Sequence, residues 1–340
     1  MENKVAPLRI EISYKTIIFV VLLLIGIWLL LQVKSIIILL FLCLILVSAL
    51  SKPVEWLSSR KIPRPAATLM VYVVVIAIIA FVIGIIVPPL IAQTSEFVSN
   101  LPKIISTTNE FLAFNQIPVN DVSKVISGQI NQIAGNLVSI SSAIISSLFF
   151  LLTLVVLSFY LLLDWKTFVR LLASPFSGEQ ENRVITLVSK IEKGLGFWLR
   201  SQLALSALVG VLSFIGLTIL GIPFALPLAL IAGIMEVIPI IGPIISAVPA
   251  ILVGLTISPI MGLATGALFF IVQQLEAHLI VPMIMSKVVG LQPAAVVIAL
   301  LVGAKLDGIP GAFLAIPLVI VAKIVLKDFL AQNAKQKIAE

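Results

Sequence analysis

Two acidic residues interrupt the apolar C-terminal half of this chain. Glu236 ends a stretch without charge from residue 201, and Asp307 follows a second apolar stretch, with Lys305 two positions before it. A charge within a bilayer costs about 3 kcal/mol or more and marks a functional site by default. We predict that Glu236 and Asp307 contact a transported or coupling species. The alternative is that Lys305 and Asp307 pair with each other near the membrane surface.

A short polar segment between these acids adds further candidates. At helical spacing, Gln273 and Glu276 share one face, while Gln274 and His278 share another. For His278 the favoured interpretation is a polar end of a span just before Pro282. The predicted transport and coupling residues are Glu236, Asp307, Lys305, Gln273, Gln274 and Glu276.

The acids belong to a faint internal repeat. Residues 223–233 align without gaps to 293–303, with five of eleven positions identical. An acid, an Ile-Pro pair and a nearby glycine follow each copy at an offset of about 70 residues. Chance similarity is the competing explanation, because matches of Ala, Leu and Ile are common among apolar helices.

Both copies contain residues that break helices in their middle. Proline removes a hydrogen-bond donor and glycine costs conformational entropy, so neither break can remain regular helix. An unwound backbone within hydrocarbon must be buried or line a cavity, and paired breaks of this kind indicate a transporter site. Each copy is a re-entrant hairpin, inverted relative to the other, or one kinked span. The predicted broken-helix residues are Pro239, Gly242, Pro243, Gly308, Pro310 and Gly311.

Composition sets the class of protein that must position these residues. Apolar residues make up 61% of the 340, and charged residues 11%, against roughly 25% charged in soluble domains. Several uncharged stretches reach the roughly 20 residues that a membrane helix needs. We predict an all-α, polytopic membrane protein of about eight membrane-embedded helical segments, with an inverted-repeat-like C-terminal core.

The same patterns predict five regions. They are an N-terminal span hairpin with its loop (1–65), two spans with an outside amphipathic region at 90–140 (66–163), amphipathic linker helices (164–200), the transport core (201–326) and a tail (327–340). The linker contains two short helices, and the apolar stripe of the second predicts a position at the inner interface, with Trp198 at headgroup level. Self-association through region 90–140 would cover its apolar stripes and predicts a homo-oligomer.

Charge distribution predicts orientation. Five segments expected on the inside hold 18 of the 22 basic residues, which places both termini in the cytoplasm. The net charge of +7 follows these loops, so nucleic acid is not an expected partner. There is no phosphate-binding GxxxxGK[ST] loop and no metal-ligand cluster, so no enzyme, cofactor or metal is expected.

The C-terminal motifs resemble the autoinducer-2 exporter family of bacterial transporters. They are FWLRSQL (197–203), GIMEVIPIIGP (233–243), QQLE (273–276) with VP (281–282), VGLQP (289–293) and GAFLAIP (311–317). One departure is Ala277-His278, where the family often has amides. The resemblance implies a multi-pass inner-membrane transporter, with export of the autoinducer-2 signal or sodium(lithium)/proton antiport as its activity. A non-transporting membrane scaffold is the alternative of another class, although it has no need for paired breaks with acids.

Overall fold

The architecture is a bundle of helices. The computed structural model describes residues 14–85, 88, 137–239, 241–280 and 293–339. Every element in these ranges is helical: α1 Tyr14–Gln32, α2 Lys34–Ser59, α3 Arg64–Ile85, α4 Leu137–Leu163, α5 Trp165–Ala173, α6 Glu179–Ile219, α7 Ala225–Met235, α8 Ile241–Ile257, α9 Pro259–Leu275 with a π-helical turn Glu276–Ile280, and α10 Pro293–Ala339. The predicted all-α fold is confirmed.

The helices have the length and composition of membrane spans. Helices α2, α3, α6, α9 and α10 are each long and apolar enough to cross a bilayer. Helix α4 joins α5 through a bend of 76°, and the pair passes the same test as one broken span. The protein is therefore a multi-pass membrane protein, as predicted. The amphipathic region 90–140 and its proposed role in self-association lie outside the described residues, apart from the start of α4.

Helix α6 is the central element of the bundle and differs from the prediction. It runs for 41 residues without a break and contacts α2, α5, α7, α9 and α10. The prediction that the second linker helix is short is wrong, because this helix continues without a break into the following span. Its apolar stripe packs against protein, and Trp198 is 1% exposed, with its ring centroid 5.7 Å from that of Phe313 on α10. An amphipathic stripe fits a neighbouring helix as well as a lipid headgroup layer, so the pattern alone could not choose between them.

The first repeat copy folds as a helical hairpin. Helices α7 and α8 pack together, and Leu228 and Ala232 share an apolar cluster with Ala250. Pro239 lies in the turn between them. Gly242 begins the return helix so close to α7 that a Cβ atom there would lie 1.8 Å from the carbonyl oxygen of Met235. The break predicted from proline and glycine is thus a reversal of chain direction.

The second copy reverses direction within α10. The turn lies at Asp307 and Gly308, and Gly308 has φ 59° and ψ −136°, a conformation that favours glycine. A Cβ atom on Gly303 would lie 2.3 Å from the carbonyl oxygen of Gly311. In a straight helix these two residues would be about 12 Å apart along the axis. Pro310 falls in the first turn of the returning helix, where its missing N–H is tolerated.

Candidate functional site

Glu236 lies at the C-terminal end of α7, where the hairpin begins to turn. Its side chain is fully buried, and no N–H or hydroxyl group of the described residues donates to either carboxyl oxygen. The backbone is held on both sides: its N–H donates to the carbonyl of Ala232 at 3.0 Å, and its carbonyl accepts a 2.6 Å bond from Nε2 of Gln202 on α6. The sequence therefore fixes the position of this carboxyl group through its backbone and leaves the carboxyl oxygens available.

A second buried carboxyl group faces the first. Glu276 is 5% exposed and interacts with Glu236 through their carboxyl groups. Its Oε2 accepts a 3.1 Å hydrogen bond from Nε2 of Gln273, the neighbour predicted from helical spacing. We call Gln202, Glu236, Gln273 and Glu276 the carboxyl cluster.

Further oxygen atoms in and beside the carboxyl cluster lack partners. The amide oxygens of Gln202 and Gln273 are buried without a hydrogen bond, as is the hydroxyl of Ser206, one turn along α6 from Gln202. Such groups are normally satisfied in native proteins, so each unsatisfied one needs an explanation. All of these atoms are oxygens, which suits a proton, a hard cation or the hydroxyl donors of a polar solute.

Local structure brings these side chains together from three helices. Gly233 on α7 lies against Gly210 on α6. A Cβ atom added to Gly233 would lie 2.7 Å from the carbonyl oxygen of Ser206. That close approach sets α7 beside the face of α6 that carries Gln202. Glu276 begins the π-helical turn at the end of α9, a rare geometry that is frequent at functional sites.

The other predicted site residues lie elsewhere. Asp307 pairs with Lys34, Nζ to Oδ1 2.5 Å, so the alternative pairing with Lys305 is not observed. Lys305 and Gln274 are exposed. His278 is exposed and its Nδ1 lies 3.1 Å from the Gln274 carbonyl oxygen, which agrees with a polar helix end.

Two residues of the site were missed from the sequence. Gln202 is the only amide side chain in the uncharged stretch 201–235, and Ser206 lies one turn beyond it. A buried amide in a membrane helix needs partners, so that isolation was the available signal. Within the described part of the chain, no Lys, Arg or His forms an ion pair with Glu236 or Glu276, and no three His, Cys, Asp or Glu residues gather as a metal site.

Comparison with known proteins agrees with this architecture. The sequence profile described as AI-2E family transporter matches residues 17–331. Three relatives carry the name "Putative transport protein" with a designation. YrrI of Bacillus subtilis (strain 168) is 30% identical over 303 residues, 86% of each chain. YueF of the same organism is 27% identical and covers 80% of this chain and 78% of its own. YhhT of Escherichia coli (strain K12) is 27% identical and covers 85% and 84%. The chain belongs to the AI-2E family of transporters.

Proposed function

We propose that this protein is a secondary transporter that exchanges a monovalent cation, sodium or lithium, for a proton at the carboxyl cluster. The observation that carries the proposal is the fully buried Glu236 beside the buried Glu276, with no N–H or hydroxyl group of the described residues donating to either Glu236 carboxyl oxygen. Two adjacent carboxylates repel each other when both are ionised, so a compensating positive charge is required.

The side chains around Glu236 and Glu276 limit what this positive charge can be. No basic side chain of the described residues pairs with either carboxyl group. A proton shared by Glu236 and Glu276, or a small cation bound between them, supplies the missing charge. Because both compete for the same oxygens, binding one releases the other, which is the elementary step of exchange. We propose that the buried amide oxygens of Gln202 and Gln273, which lack partners among the described residues, add to the carboxyl oxygens as ligands, because hard cations prefer oxygen.

Export of a small polar solute, such as the autoinducer-2 signal, is the second candidate. The two buried amide oxygens without partners favour it, because they could accept hydrogen bonds from the hydroxyl groups of a polyol. In that case the carboxyl cluster would bind the solute and need not exchange protons.

The test separates these activities in liposomes. Purified protein is reconstituted with an imposed pH gradient, and sodium, lithium or the signal molecule is added. We expect sodium or lithium to collapse the gradient with wild-type protein and not with Glu236→Gln, which keeps the shape and removes the titratable group. Asp307→Asn is the matched control, since this carboxylate pairs with Lys34 outside the cluster. Wild-type exchange in a folded Glu236→Gln variant would remove Glu236 from the mechanism, and solute flux without proton movement would favour export.

We also propose that the two hairpins are re-entrant and inverted in a bacterial inner membrane, with both termini cytoplasmic. In the first hairpin, α7 and α8 run antiparallel, so positions 225 and 255 lie at the same end of it. Single cysteines on a Cys43→Ser background should label positions 225 and 255 from outside. Positions 293 and 322 should label from inside. Labelling of 225 and 255 from opposite sides would exclude a re-entrant hairpin, without affecting the liposome result.

A further inference from the structure

A charged cavity lies away from the carboxyl cluster, where the ends of α2, α3 and α5 meet. Its volume is about 240 Å³, several times the roughly 30 Å³ that one water molecule occupies in the liquid. It is lined by Val54, Glu55, Ser58, Ser59, Arg64 and Lys166. The cavity is therefore large enough for a polar group of several heavy atoms.

Two features of the surrounding helices favour a position of this cavity at the level of the lipid headgroups. Helix α5 leaves the axis of α4 at 76°, so if α4 crosses the bilayer, α5 runs nearly along its surface. Trp56 lies in the last part of α2 and is 56% exposed, with the guanidinium carbon of Arg60 4.1 Å from its ring centroid. Tryptophan is enriched at the boundary between hydrocarbon and water.

The two cations of the cavity have unused hydrogen-bonding capacity. Arg64 donates from Nη2 to the carbonyl of Leu162 at 3.3 Å, while its buried Nε has no partner. Lys166 is exposed, and among the described residues neither cation forms an ion pair, although Glu55 lines the same cavity. A phosphate group accepts several hydrogen bonds from such donors. Ser58 lines the same cavity, whereas the Ser59 hydroxyl already donates to the carbonyl of Trp56 at 2.7 Å.

Glu55 adds a negative charge to a cavity that already has two positive charges. This negative charge favours phosphate-bearing ligands that also carry a positive group. We propose that the cavity binds the headgroup of a phospholipid that carries both a phosphate and a primary ammonium, as in phosphatidylethanolamine. Arg64, Lys166 and the Ser58 hydroxyl hold the phosphate, and the Glu55 carboxylate holds the ammonium. An anionic headgroup without an amine would satisfy the cations and be repelled by Glu55.

Native mass spectrometry of the full chain in detergent tests this assignment. The protein is titrated with phosphatidylethanolamine and phosphatidylglycerol of identical acyl chains. Wild-type protein should retain the ethanolamine lipid more strongly. Lys166→Gln should weaken retention of both lipids by about fivefold, since one basic residue near the headgroups contributes about 1 kcal/mol. Glu55→Gln should weaken only the ethanolamine lipid and so reduce the preference.

The matched control is Lys52→Gln. Lys52 is exposed and lies on α2, the helix that carries Glu55, but it does not line the cavity. It should leave both affinities unchanged. Equal effects of Lys52→Gln and Lys166→Gln would show only general attraction between charges and lipid, and would overturn the site. An unchanged preference in Glu55→Gln would overturn the role of the carboxylate. Displacement of the lipid by excess inorganic phosphate would show a site for free anions instead of a lipid site.

Discussion

Replacing Gly303 by alanine should open the hairpin of α10. The new methyl group would lie 2.3 Å from the carbonyl oxygen of Gly311 and 3.0 Å from Cβ of Ala315. Ordinary contacts between carbon and oxygen are about 3.3–3.6 Å, so the two arms must separate by about 1 Å. Overpacking of this kind costs about 1–3 kcal/mol. Alanine recovers up to about 1 kcal/mol through its higher helix propensity, so an overpacking cost in the middle of that range, about 2 kcal/mol, leaves a net loss of about 1 kcal/mol.

Gly266 offers a matched control on α9. An alanine there would meet only Cδ1 and Cγ1 of Ile251, at 3.6 and 3.8 Å, which are normal van der Waals contacts. Gly266→Ala should therefore keep or raise stability by up to about 1 kcal/mol. Both variants are unfolded with increasing sodium dodecyl sulfate in mixed micelles, with tryptophan fluorescence as the signal, since Trp198 packs on Phe313 of the returning arm. If Gly303→Ala unfolds at the wild-type midpoint or later, the close approach of the two arms is refuted.

Three further predictions concern contacts outside the carboxyl cluster. Tyr72→Phe removes the 2.7 Å bond from the phenol to Ser158 Oγ and should cost about 0.5–1.5 kcal/mol of unfolding free energy; no loss in a denaturation curve would contradict that bond. Cys43→Ser should cost about 1 kcal/mol or less, because a serine hydroxyl within a helix can donate to the carbonyl four residues earlier; a large drop in melting temperature would contradict this. A double-mutant cycle of Lys34→Gln and Asp307→Asn should give a coupling energy below about 1 kcal/mol, as for exposed pairs, and a value of several kcal/mol would show that the pair is shielded from solvent.

The hairpins could be predicted because their breaks are local features of the sequence. Pro239, Gly242 and Gly308 interrupt otherwise apolar runs, and the structure reverses the chain at both places. The pairing of Gln273 with Glu276 was predictable for the same reason, since both residues lie on one helix face. Neither inference required knowledge of how distant helices pack.

The remaining features depend on contacts between distant parts of the chain. Lys34 and Asp307 are 273 residues apart, and no pattern near either residue indicates the other. Gln202 reaches the backbone of Glu236 only because α6 and α7 approach closely. The apolar stripe that includes Trp198 correctly predicted an apolar neighbour. That neighbour is another helix and not lipid, and the pattern could not tell them apart because both impose the same periodicity.

The cluster around Trp198 also constrains the order in which the protein can be assembled. It joins Ile45 of α2 and Leu195 of α6 to Leu300 and Ile320 of α10. When α2 and α6 have been inserted, α10 has not yet been synthesised, so these two helices lack their α10 contacts until residues 300–320 enter the membrane. Chains at that stage expose unfinished apolar packing to chaperones and proteases. A premature stop before α10 would therefore leave α2 and α6 without the contacts that seal the bundle, and such a product should be removed by proteolysis instead of accumulating.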